Sequence, residues 1–460
     1  MTLAASAASA DPAAGTSLSG EAPGSISLNA ALAFARAHQP SLIAARARLL
    51  AAQREAEIPK AEWAPRVGGL AEFVGATVNN STATVLSDPS VSLARVGSSH
   101  FAGTGSPPDW QPYATTVLAV GIRQEVFDFG RIAAQSATLG ALADVERARA
   151  RATQLDLDFA VADAFYAVLA AHGVLEAAGQ AETRSRAHRD FAASAVAAGL
   201  RDPIARTRAE ADLARFEVGR VRAARGLRIA RIALAAAIGS PHTELDAEMS
   251  EEGSPLSVPS GDVAAARAVE HEPTILALEA QVRSQDLAGR AISALLRPNL
   301  YISAAFSMRG GGGPASSAAA KPPTYDGFLP ETPNYDVGLV LSIPLFDAAI
   351  NRRAAASDAR ADALRAETDA YKIRVRQAAR ESVERVRQAE ETLVALERAA
   401  QAARANADQA EARERNGLGT STELADAEAL RADAEIQLTI GRFQLRSARS
   451  GLARRIAETP

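Results

Sequence analysis

The chain contains the segment Ala37-His38-Gln39-Pro40-Ser41-Leu42 and, 233 residues later, a second version of it, Glu270-His271-Glu272-Pro273-Thr274-Ile275. Further matches follow in the same order: Val126-Phe127-Asp128 with Leu345-Phe346-Asp347, and Gly199-Leu200 with Gly417-Leu418. The offset falls to 219 and then 218, so one loop is shorter in the second half. Matches that stay collinear over ~200 residues indicate a tandem duplication.

Composition excludes several classes of protein. A length of 460 residues exceeds one ordinary globular core, so several units or a repeat are expected. The absence of cysteine excludes a disulfide framework, thiolate metal sites and a lipidated N-terminal cysteine. A net charge of −4 argues against nucleic-acid binding. We find no run of ~18 apolar residues and therefore expect no membrane-spanning helix, whereas the strands of a membrane barrel give a weaker signal.

Each half has the same predicted order of elements. A helical stretch, roughly Leu28 to Trp63 or Asp262 to Leu296, ends at a proline-containing boundary, because proline cannot continue a helix interior. Two strands follow, separated by a polar, glycine-rich loop that covers Asn79 to Pro112 or Arg309 to Pro333. After Pro298, alternate residues point to opposite faces with the period of two expected of a strand.

A very long helix follows each strand pair. Arg131 to Ala197 and Asn351 to Arg415 continue without a breaker, which predicts helices about 100 Å long at ~1.5 Å per residue. The second has apolar or small residues at alternating spacings of three and four, typical of a coiled-coil seam. The seam comprises Val386, Ala389, Leu393, Leu396, Ala400, Ala403, Ala407 and Ala410. Gly199 and Gly417 are expected to end these helices before a returning helix begins.

These patterns divide the chain into two repeats and their flanks. Residues 1–10 end in a small-residue pattern like a signal-peptidase site and are interpreted as the tail of a signal peptide, with a disordered Ala/Ser-rich terminus as the alternative. Residues 11–25 are expected to form a flexible arm, and 240–261 a linker. The repeats are 26–239, with a β-hairpin at 65–128 and a helical hairpin at 129–239, and 262–457, with a β-hairpin at 298–346 and a helical hairpin at 347–457.

The strands point to a membrane. Four strands per chain are too few for a membrane barrel, which needs about eight, so several chains would have to share one. Thirteen of the 21 aromatic residues lie within Trp63 to Phe129 and Tyr301 to Phe346, as aromatic girdles at membrane interfaces predict. The alternative is that they form the core of a small soluble β domain, although the adjoining loops are too polar and glycine-rich to cover such a core.

The duplicated order of elements resembles the TolC-type outer-membrane efflux and secretion channels, from about Ile26 to Ala457. The motifs that carry the resemblance are Val126-Phe127-Asp128-Phe129-Gly130, Ile343-Pro344-Leu345-Phe346-Asp347, Phe165-Tyr166-Ala167-Val168-Leu169 and the two Gly-Leu turns. The resemblance implies a mainly α tandem-repeat fold with a small membrane β part. Four strands per chain would contribute to a trimeric twelve-stranded barrel, and long helical hairpins would form a periplasmic tunnel.

The resemblance also implies location and partners. The chain would lie in the outer membrane, in contact with lipid, and extend into the periplasm as a homotrimer. It would join a periplasmic membrane-fusion adaptor and an inner-membrane transporter of the RND or ABC class, and bind no nucleic acid. Its cargo could be small toxic compounds, as in multidrug resistance, metal ions or, in type I secretion, proteins. The alternative function is a soluble periplasmic coiled-coil scaffold or adaptor with no channel.

Two carboxylates are candidate pore residues. Glu423 and Asp426 follow the second Gly-Leu turn three residues apart, hence on one helical face. By resemblance they align with the acidic pair of the family's entrance constriction, and in a trimer they would form stacked acidic rings that select cations. The alternative is that they are first-turn carboxylates favoured by the helix dipole.

The first half departs from the family at this point. Its equivalent positions are Ala205 and Arg208, and Gly419 replaces a basic residue that is common in the family, so the family's polar latch is not reproduced. Arg201 or Arg208 is a possible gate partner of Glu423 or Asp426 across the mouth. The residues expected to contact an adaptor are the two tips: Gly199, Leu200, Arg201, Asp202, Pro203, Gly417, Leu418, Gly419, Thr420, Ser421 and Thr422.

We identify no pattern typical of an enzyme and expect no cofactor. The six histidines are scattered through the chain, and His38 and His271 occupy equivalent places near helix ends, where a cation suits the helix dipole. The glycines from Gly310 to Gly313 are not followed by the Lys-Ser/Thr of a phosphate-binding loop. No nucleophile, metal cluster or acid/base pair is recognisable.

Overall fold

A computed structural model of the chain describes residues 24–77, 84–88, 91–96, 112–248, 258–312 and 332–458. The predicted signal-peptide tail at 1–10, the arm up to residue 23, the middle of each inter-strand loop and residues 249–257 of the linker lie outside this description. The chain divides into two compact units. The helical unit comprises Met1–Ala44, Arg151–Glu272 and Arg374–Pro460; the sheet unit comprises Ala45–Ala150 and Pro273–Ile373.

Eight α-helices account for most of the described residues. They are α1 (Leu28–His38), α2 (Pro40–Glu57), α3 (Arg131–Ala197), α4 (Pro203–Ile238), α5 (Gly261–His271), α6 (Pro273–Ser293), α7 (Ala348–Arg415) and α8 (Ser421–Arg455). The strands are β1 (Ser25–Ile26), β2 (Arg66–Thr77), β3 (Thr84–Asp88), β4 (Val91–Val96), β5 (Pro112–Phe127), β6 (Asp246–Ala247), β7 (Asn299–Gly312) and β8 (Thr332–Ser342). The order of long elements in the first half recurs in the second.

The first helical stretch of each half is interrupted rather than continuous. α1 ends at His38 and α2 begins at Pro40; α5 ends at His271 and α6 begins at Pro273. Proline favours the first position of a helix because its missing N–H needs no partner there, so it starts a new helix in mid-pattern. Short 3₁₀ helices, Pro59–Trp63 and Ala294–Leu296, close the two stretches.

The predicted loops are shorter than the sequence suggested. β3 and β4 form an antiparallel pair inside the segment expected to be a loop from Asn79 to Pro112. Thr84 and Val85 in β3, and Val91 and Val96 in β4, favour strands, but the surrounding Ser, Pro and Asn residues obscured this signal. β7 continues to Gly312, past the expected loop start at Arg309, because its pairing with β5 extends that far.

Four strands form the main sheet of the sheet unit, in the order β2-β5-β7-β8 with every pair antiparallel. Its two halves come from the two repeats. In the register, Val120 lies opposite Phe306, and Phe306 lies opposite Tyr335. Facing residues in antiparallel strands share one side of the sheet, so the apolar residues of neighbouring strands line up.

Aspartates cap the helices that leave the sheet. Asp128 accepts hydrogen bonds from the backbone N–H of Gly130 (3.0 Å) and Ile132 (2.5 Å) at the start of α3. Its equivalent, Asp347, accepts from Ala349 (2.7 Å) and Ile350 (3.3 Å) at the start of α7. Because the first backbone N–H groups of a helix have no partner inside it, these aspartates fix where each long helix begins.

Small side chains dominate the packing of the helical unit. The predicted seam of α7 is confirmed, because all eight of its residues are buried or half-buried. The hydrophobic core of the helical unit contains Leu42, Val161, Phe165, Leu234 and Ile238. The alanine-rich seam lets helices approach closely but buries little apolar area per residue, at roughly 25 cal/mol per Å².

Helix α3 departs from the expectation that no helix is apolar enough to span a membrane. It contains an 18-residue segment that is apolar enough and long enough to cross a membrane, by length and composition alone. Isolated polar residues interrupt this segment, so it forms no continuous apolar run. Within this helix Val161, Phe165 and Val168 belong to the core of the helical unit. Asp158, which is 1% exposed, is ion-paired there with Arg36 at 2.8 Å. A helix in a protein core can have the same length and composition.

Candidate functional sites

The two hairpin turns of the helical unit are built alike. Gly199 and Gly417 have φ angles of 73° and 71°, which only glycine adopts without strain. The next residue, Leu200 or Leu418, donates its N–H to a carbonyl five positions back at 2.9 Å in both turns. This is the Schellman arrangement, which satisfies the last carbonyls of α3 and α7. The prediction that these glycines end the long helices is confirmed.

The returning helices are capped by side chains. Asp202 accepts from the N–H of Ile204 at 3.1 Å, and Pro203 occupies the first position of α4. At α8, Thr420 accepts from the N–H of Glu423 at 3.2 Å, and Glu423 accepts from the N–H of Thr420 at 3.4 Å. This reciprocal capping box gives Glu423 the first-turn role that the sequence allowed as an alternative.

The two candidate pore carboxylates remain accessible in the chain. The Glu423 side chain is 55% exposed despite its capping bond, and its Oε2 lies 4.0 Å from an Arg413 nitrogen. Asp426 is exposed and makes no hydrogen bond or ion pair with any part of the chain that the structure describes. Both carboxylates can therefore still face a pore, a cation or a neighbouring chain.

The arginines of the first turn bind other residues within the chain. Arg201 Nη1 donates to the Glu414 carboxylate and to Ser421 Oγ (3.0 Å), and its Nη2 donates to the Glu414 carbonyl at 3.3 Å. Arg208 Nη1 donates to Thr422 Oγ1 at 2.5 Å. These bonds join the two hairpins of one chain. Pairing of Arg201 or Arg208 with Glu423 or Asp426 across the mouth stays a prediction.

Sequence reasoning missed Glu414. Its side chain is only 2% exposed, although it lies in the last turn of α7 beside residues that are exposed. His188 Nδ1 of α3 lies 3.8 Å from its Oε2. These residues line a cavity of about 170 Å³, walled in part by Phe191 and Phe216. The α7 seam, continued by four residues from Ala410, reaches Glu414 and could have indicated its burial. Arg201 and His188 are more than two hundred residues away along the chain, and helix periodicity does not identify them as partners.

Farther from the turns, Glu435 of α8 lies among three arginines. Its carboxylate accepts from Arg404 (2.8 Å) and Arg431 (3.4 Å), and its Oε2 lies 3.6 Å from Arg184. Burial raises the pKa of Glu435, but the hydrogen bond from Arg404 and the positive charges of the arginines outweigh it and leave the pKa below its usual value. The carboxylate is thus held ionised between α3, α7 and α8.

The main sheet of the sheet unit has one apolar and one polar face. Large exposed apolar residues lie on one side: Val67, Leu118, Val120, Ile122, Ile302, Phe306, Tyr335, Val337, Leu339 and Leu341. The other side has charged, small and polar residues, including Arg123, Glu125, Ser303 and Asp336. Arg123 pairs with Glu125 at 3.1 Å and stacks 3.8 Å from the Tyr301 ring. An exposed apolar face opposite a polar one is typical of strands between lipid and a wet interior.

Both edges of this sheet are open. Among the described strands, β2 pairs only with β5, and β8 pairs only with β7. Unpaired backbone groups along an edge strand are a template for another strand. In lipid these groups must be satisfied, because no water is present to bind them.

The described residues offer no metal site. No group of three or more His, Asp or Glu side chains within them is arranged to hold a metal ion. His38 and His271 are the last residues of α1 and α5, where the sequence placed them. His38 Nδ1 lies 3.0 Å from the Phe34 carbonyl, and its ring stacks on Phe34. Both contacts fit a structural role.

Comparison with known proteins identifies the fold. No curated protein sequence matches the chain. The solved outer-membrane channel OprN is 21% identical over 93% of this chain and 89% of its own, with a TM-score of 0.71. VceC from Vibrio cholerae is 18% identical over 94% and 96% (TM-score 0.69). MtrE from Neisseria gonorrhoeae is 17% identical over 94% and 89% (TM-score 0.69). These similarities confirm the predicted TolC-like fold.

The family is shown by the sequence itself. The profile of the family described as "Outer membrane efflux protein" matches residues 32–240 and 264–457, which is most of the chain. The family is one of outer-membrane efflux channels, which sets aside the alternative of a soluble scaffold or adaptor with no channel. It is not a family of enzymes. The predicted resemblance and location are confirmed. The chain therefore belongs to the outer membrane efflux protein family and is an efflux channel of the outer membrane that extends into the periplasm.

Proposed function

We propose that three copies of this chain form the channel, each contributing four strands to one barrel. The observation that carries the proposal is the main sheet, which has an exposed apolar face and two open edges. Twelve strands exceed the number of about eight that the narrowest membrane barrels need. Pairing β8 of one chain with β2 of the next would satisfy both edges and place every apolar face toward lipid.

Native mass spectrometry of detergent-extracted protein, combined with ion conductance in planar bilayers, tests the trimer. We expect a mass of three chains and stepwise conductance from that species. Single chains at working concentrations, or a trimer that never conducts ions, would overturn the proposal.

We further propose that the repeats are 26–239 and 262–457, and that each contributes one helical hairpin to the periplasmic tunnel. The two segments matched by the family profile, 32–240 and 264–457, support these boundaries. The linker between them would lie at the equator of the tunnel.

The channel would act within a tripartite assembly. We propose that the hairpin turns contact a periplasmic membrane-fusion adaptor, which joins an inner-membrane transporter of the RND or ABC class. Leu200 and Leu418 support this, because they are 79% and 73% exposed at the two tips. Exposed leucines beside small residues suit the packing of a partner helix. The description of the family favours efflux over type I secretion.

Cross-linking tests the adaptor contact. Because the natural chain has no cysteine, Leu418→Cys introduces a single reactive thiol at the second tip. We expect it to cross-link to a co-expressed adaptor, whereas Val394→Cys, which is exposed in the middle of α7, should not. A Leu418→Cys channel that supports efflux yet never cross-links would contradict the assignment.

Glu423 and Asp426 are proposed to form the cation-selective rings of the entrance. The double variant Glu423→Ala/Asp426→Ala should weaken block by divalent cations about fivefold or more, since each exposed carboxylate contributes up to ~1 kcal/mol to an ion pair. Single-channel recordings with and without divalent cations measure the effect. Glu210→Ala/Glu217→Ala removes as many carboxylates from α4 and should leave the block unchanged. Wild-type conductance and block in the first double variant would exclude this role.

A further inference from the structure

Helix α6 joins the two repeats inside the sheet unit. Its Ala280 packs with Val145 and Ala148 of α3, which belongs to the first repeat. One turn further along α6, Ser284 Oγ donates to the Thr138 carbonyl of α3 at 3.5 Å. Ala280 and Ser284 are only 1% and 2% exposed. One face of α6 is therefore covered by a helix of the other repeat.

Helix α2 is the counterpart of α6 in the first repeat, and its corresponding face is uncovered. The offset of 233 residues between the repeats places Ala47 and Ala51 at the positions of Ala280 and Ser284. Both alanines are exposed, and Leu50, which lies between them, is 55% exposed. Within the described part of the chain, the contact that α6 makes with a helix of the other repeat has no counterpart on α2.

Helix α7 has an uncovered face that matches. With the later offset of 218 residues, Val145 and Ala148 of α3 correspond to Ala363 and Ala366 of α7. The residues of α3 are buried, whereas those of α7 are exposed. Ala363 and Ala366 belong to a row of exposed residues spaced three and four apart, which we name the outer seam of α7. The outer seam comprises Ala356, Ala359, Ala363, Ala366, Ala370 and Ile373.

The outer seam lies on a different side of α7 from the face that packs on α6. On the packed side, Ser357 Oγ donates to the Gln285 carbonyl at 2.9 Å, and Arg365 pairs with Asp286 at 2.6 Å. A helix side that faces water normally has polar and charged residues, but the outer seam is apolar, and its Ile373 is 63% exposed. Small side chains let a second helix approach closely, so the outer seam suits a helix whose own face is small.

The order of strands and helices determines which helices can meet. Inside the chain, β5 leads into α3, α6 leads through a short 3₁₀ helix into β7, and β5 pairs with β7. This strand pair therefore brings α3 and α6 together. In the second case, β8 leads into α7, and α2 leads through a short 3₁₀ helix into β2. If β8 of one chain pairs with β2 of the next, the same geometry brings α7 of the first chain beside α2 of the second.

We propose that α2 of one chain packs against the outer seam of α7 of the next chain, as α6 packs against α3 within each chain. Ala47 then lies closest to Ala363 and Ala366 of the neighbouring chain, and Ala51 lies closest to Ala356. The proposal rests on the trimer proposed above and names a helical surface that holds its chains together. The interface between chains thus continues from the edges of the sheet into the helices that adjoin it.

Disulfide cross-linking tests this contact. Because the chain has no cysteine, Ala47→Cys/Ala363→Cys introduces its only two thiols. After mild oxidation in the membrane, we expect linked dimers and closed trimers on denaturing gels, since each chain is joined to both neighbours. Ala47→Cys alone should run as a single chain. The matched control is Ala47→Cys/Arg360→Cys, because Arg360 is exposed on α7 but lies outside the outer seam, and it should give few linked chains.

A large side chain in the outer seam provides a second measurement. Ala363→Trp fills the space that Ala47 of the next chain needs, but leaves the single chain able to fold because position 363 is exposed in it. We expect native mass spectrometry to show a loss of trimer for this variant, whereas Arg360→Trp should form trimers as the wild type does.

The outcomes separate this contact from the trimer itself. A conducting trimer that gives no linked chains when Ala47→Cys is combined with either Ala363→Cys or Ala366→Cys overturns the contact and leaves the proposed channel standing. Linkage of Ala47→Cys to another protein in place of a second copy also overturns it. Native mass spectrometry that finds only single chains overturns both proposals.

Discussion

Placing an arginine at Val337 should prevent the protein from assembling in the outer membrane. Val337 is 74% exposed in the middle of the apolar face of the main sheet, opposite Ala304 of β7. In the proposed barrel this face meets lipid, and an arginine at the bilayer midplane costs about 2–4 kcal/mol per chain. Three copies multiply that cost. We expect native mass spectrometry of membrane extracts to show little or no trimer of the Val337→Arg variant.

The neighbouring residue supplies a matched control. Asp336 points to the polar face of the same strand, lies opposite Ala305 and is exposed. Asp336→Arg introduces the same side chain one position away, but directs it to the side expected to be wet. This variant should assemble as the wild type does and alter only the ion selectivity. If both variants form trimers equally well, the apolar face does not meet lipid and the barrel assignment is wrong.

The comparison of these two positions shows why the sheet could be predicted from sequence. In a strand, alternate residues face opposite sides, so the pattern from Leu300 to Phe306 already separated the apolar face from the polar one. Gly199 and Gly417 were equally informative, because only glycine readily adopts the positive φ that ends each long helix. The α7 seam followed from spacing alone. Each of these features depends on residues close together in the chain.

The residues that sequence reasoning missed depend on distant contacts. The α7 seam, continued by four residues from Ala410, reaches Glu414, so the spacing alone puts this carboxylate on the buried face. What the spacing does not reveal is its partners, because Arg201 and His188 meet it only when the two hairpins pack together. Likewise, the contact of Arg201 with Glu414 inside one chain could not be foreseen, because sequence equivalence between repeats does not reveal which side chains touch. The short pair β3–β4 was missed because its strands have only five and six residues.

The loss of Glu435 should destabilise the helical unit. Its carboxylate is 8% exposed and lies within ion-pairing distance of Arg404, Arg431 and Arg184, which come from three different helices. Arg431 and Arg184 would keep the carboxylates of Asp408 (3.0 Å) and Glu428 (2.8 Å), so the change removes charge-assisted hydrogen bonds and should cost about 1.5–3 kcal/mol. Glu435→Ala should therefore lower the midpoint of thermal unfolding. Far-ultraviolet circular dichroism in detergent measures this midpoint. Glu390→Ala breaks a more exposed pair, Glu390 with Arg449 at 2.8 Å, and should cost at most ~1 kcal/mol.

The pH dependence of the Glu435 effect has a definite sign. The arginines hold the pKa of Glu435 below its usual value in the folded chain, despite burial, which raises it. A lowered folded-state pKa means that the stabilisation is fully present above the unfolded pKa of about 4.3 and is lost as the pH falls through the lower folded value. Glu435→Ala and Glu435→Gln should thus differ most from the wild type near neutral pH, and the difference should shrink below pH ~4. If the wild type keeps its full advantage at the lowest pH at which it stays folded, hydrogen bonding or packing rather than the ionised carboxylate stabilises this site.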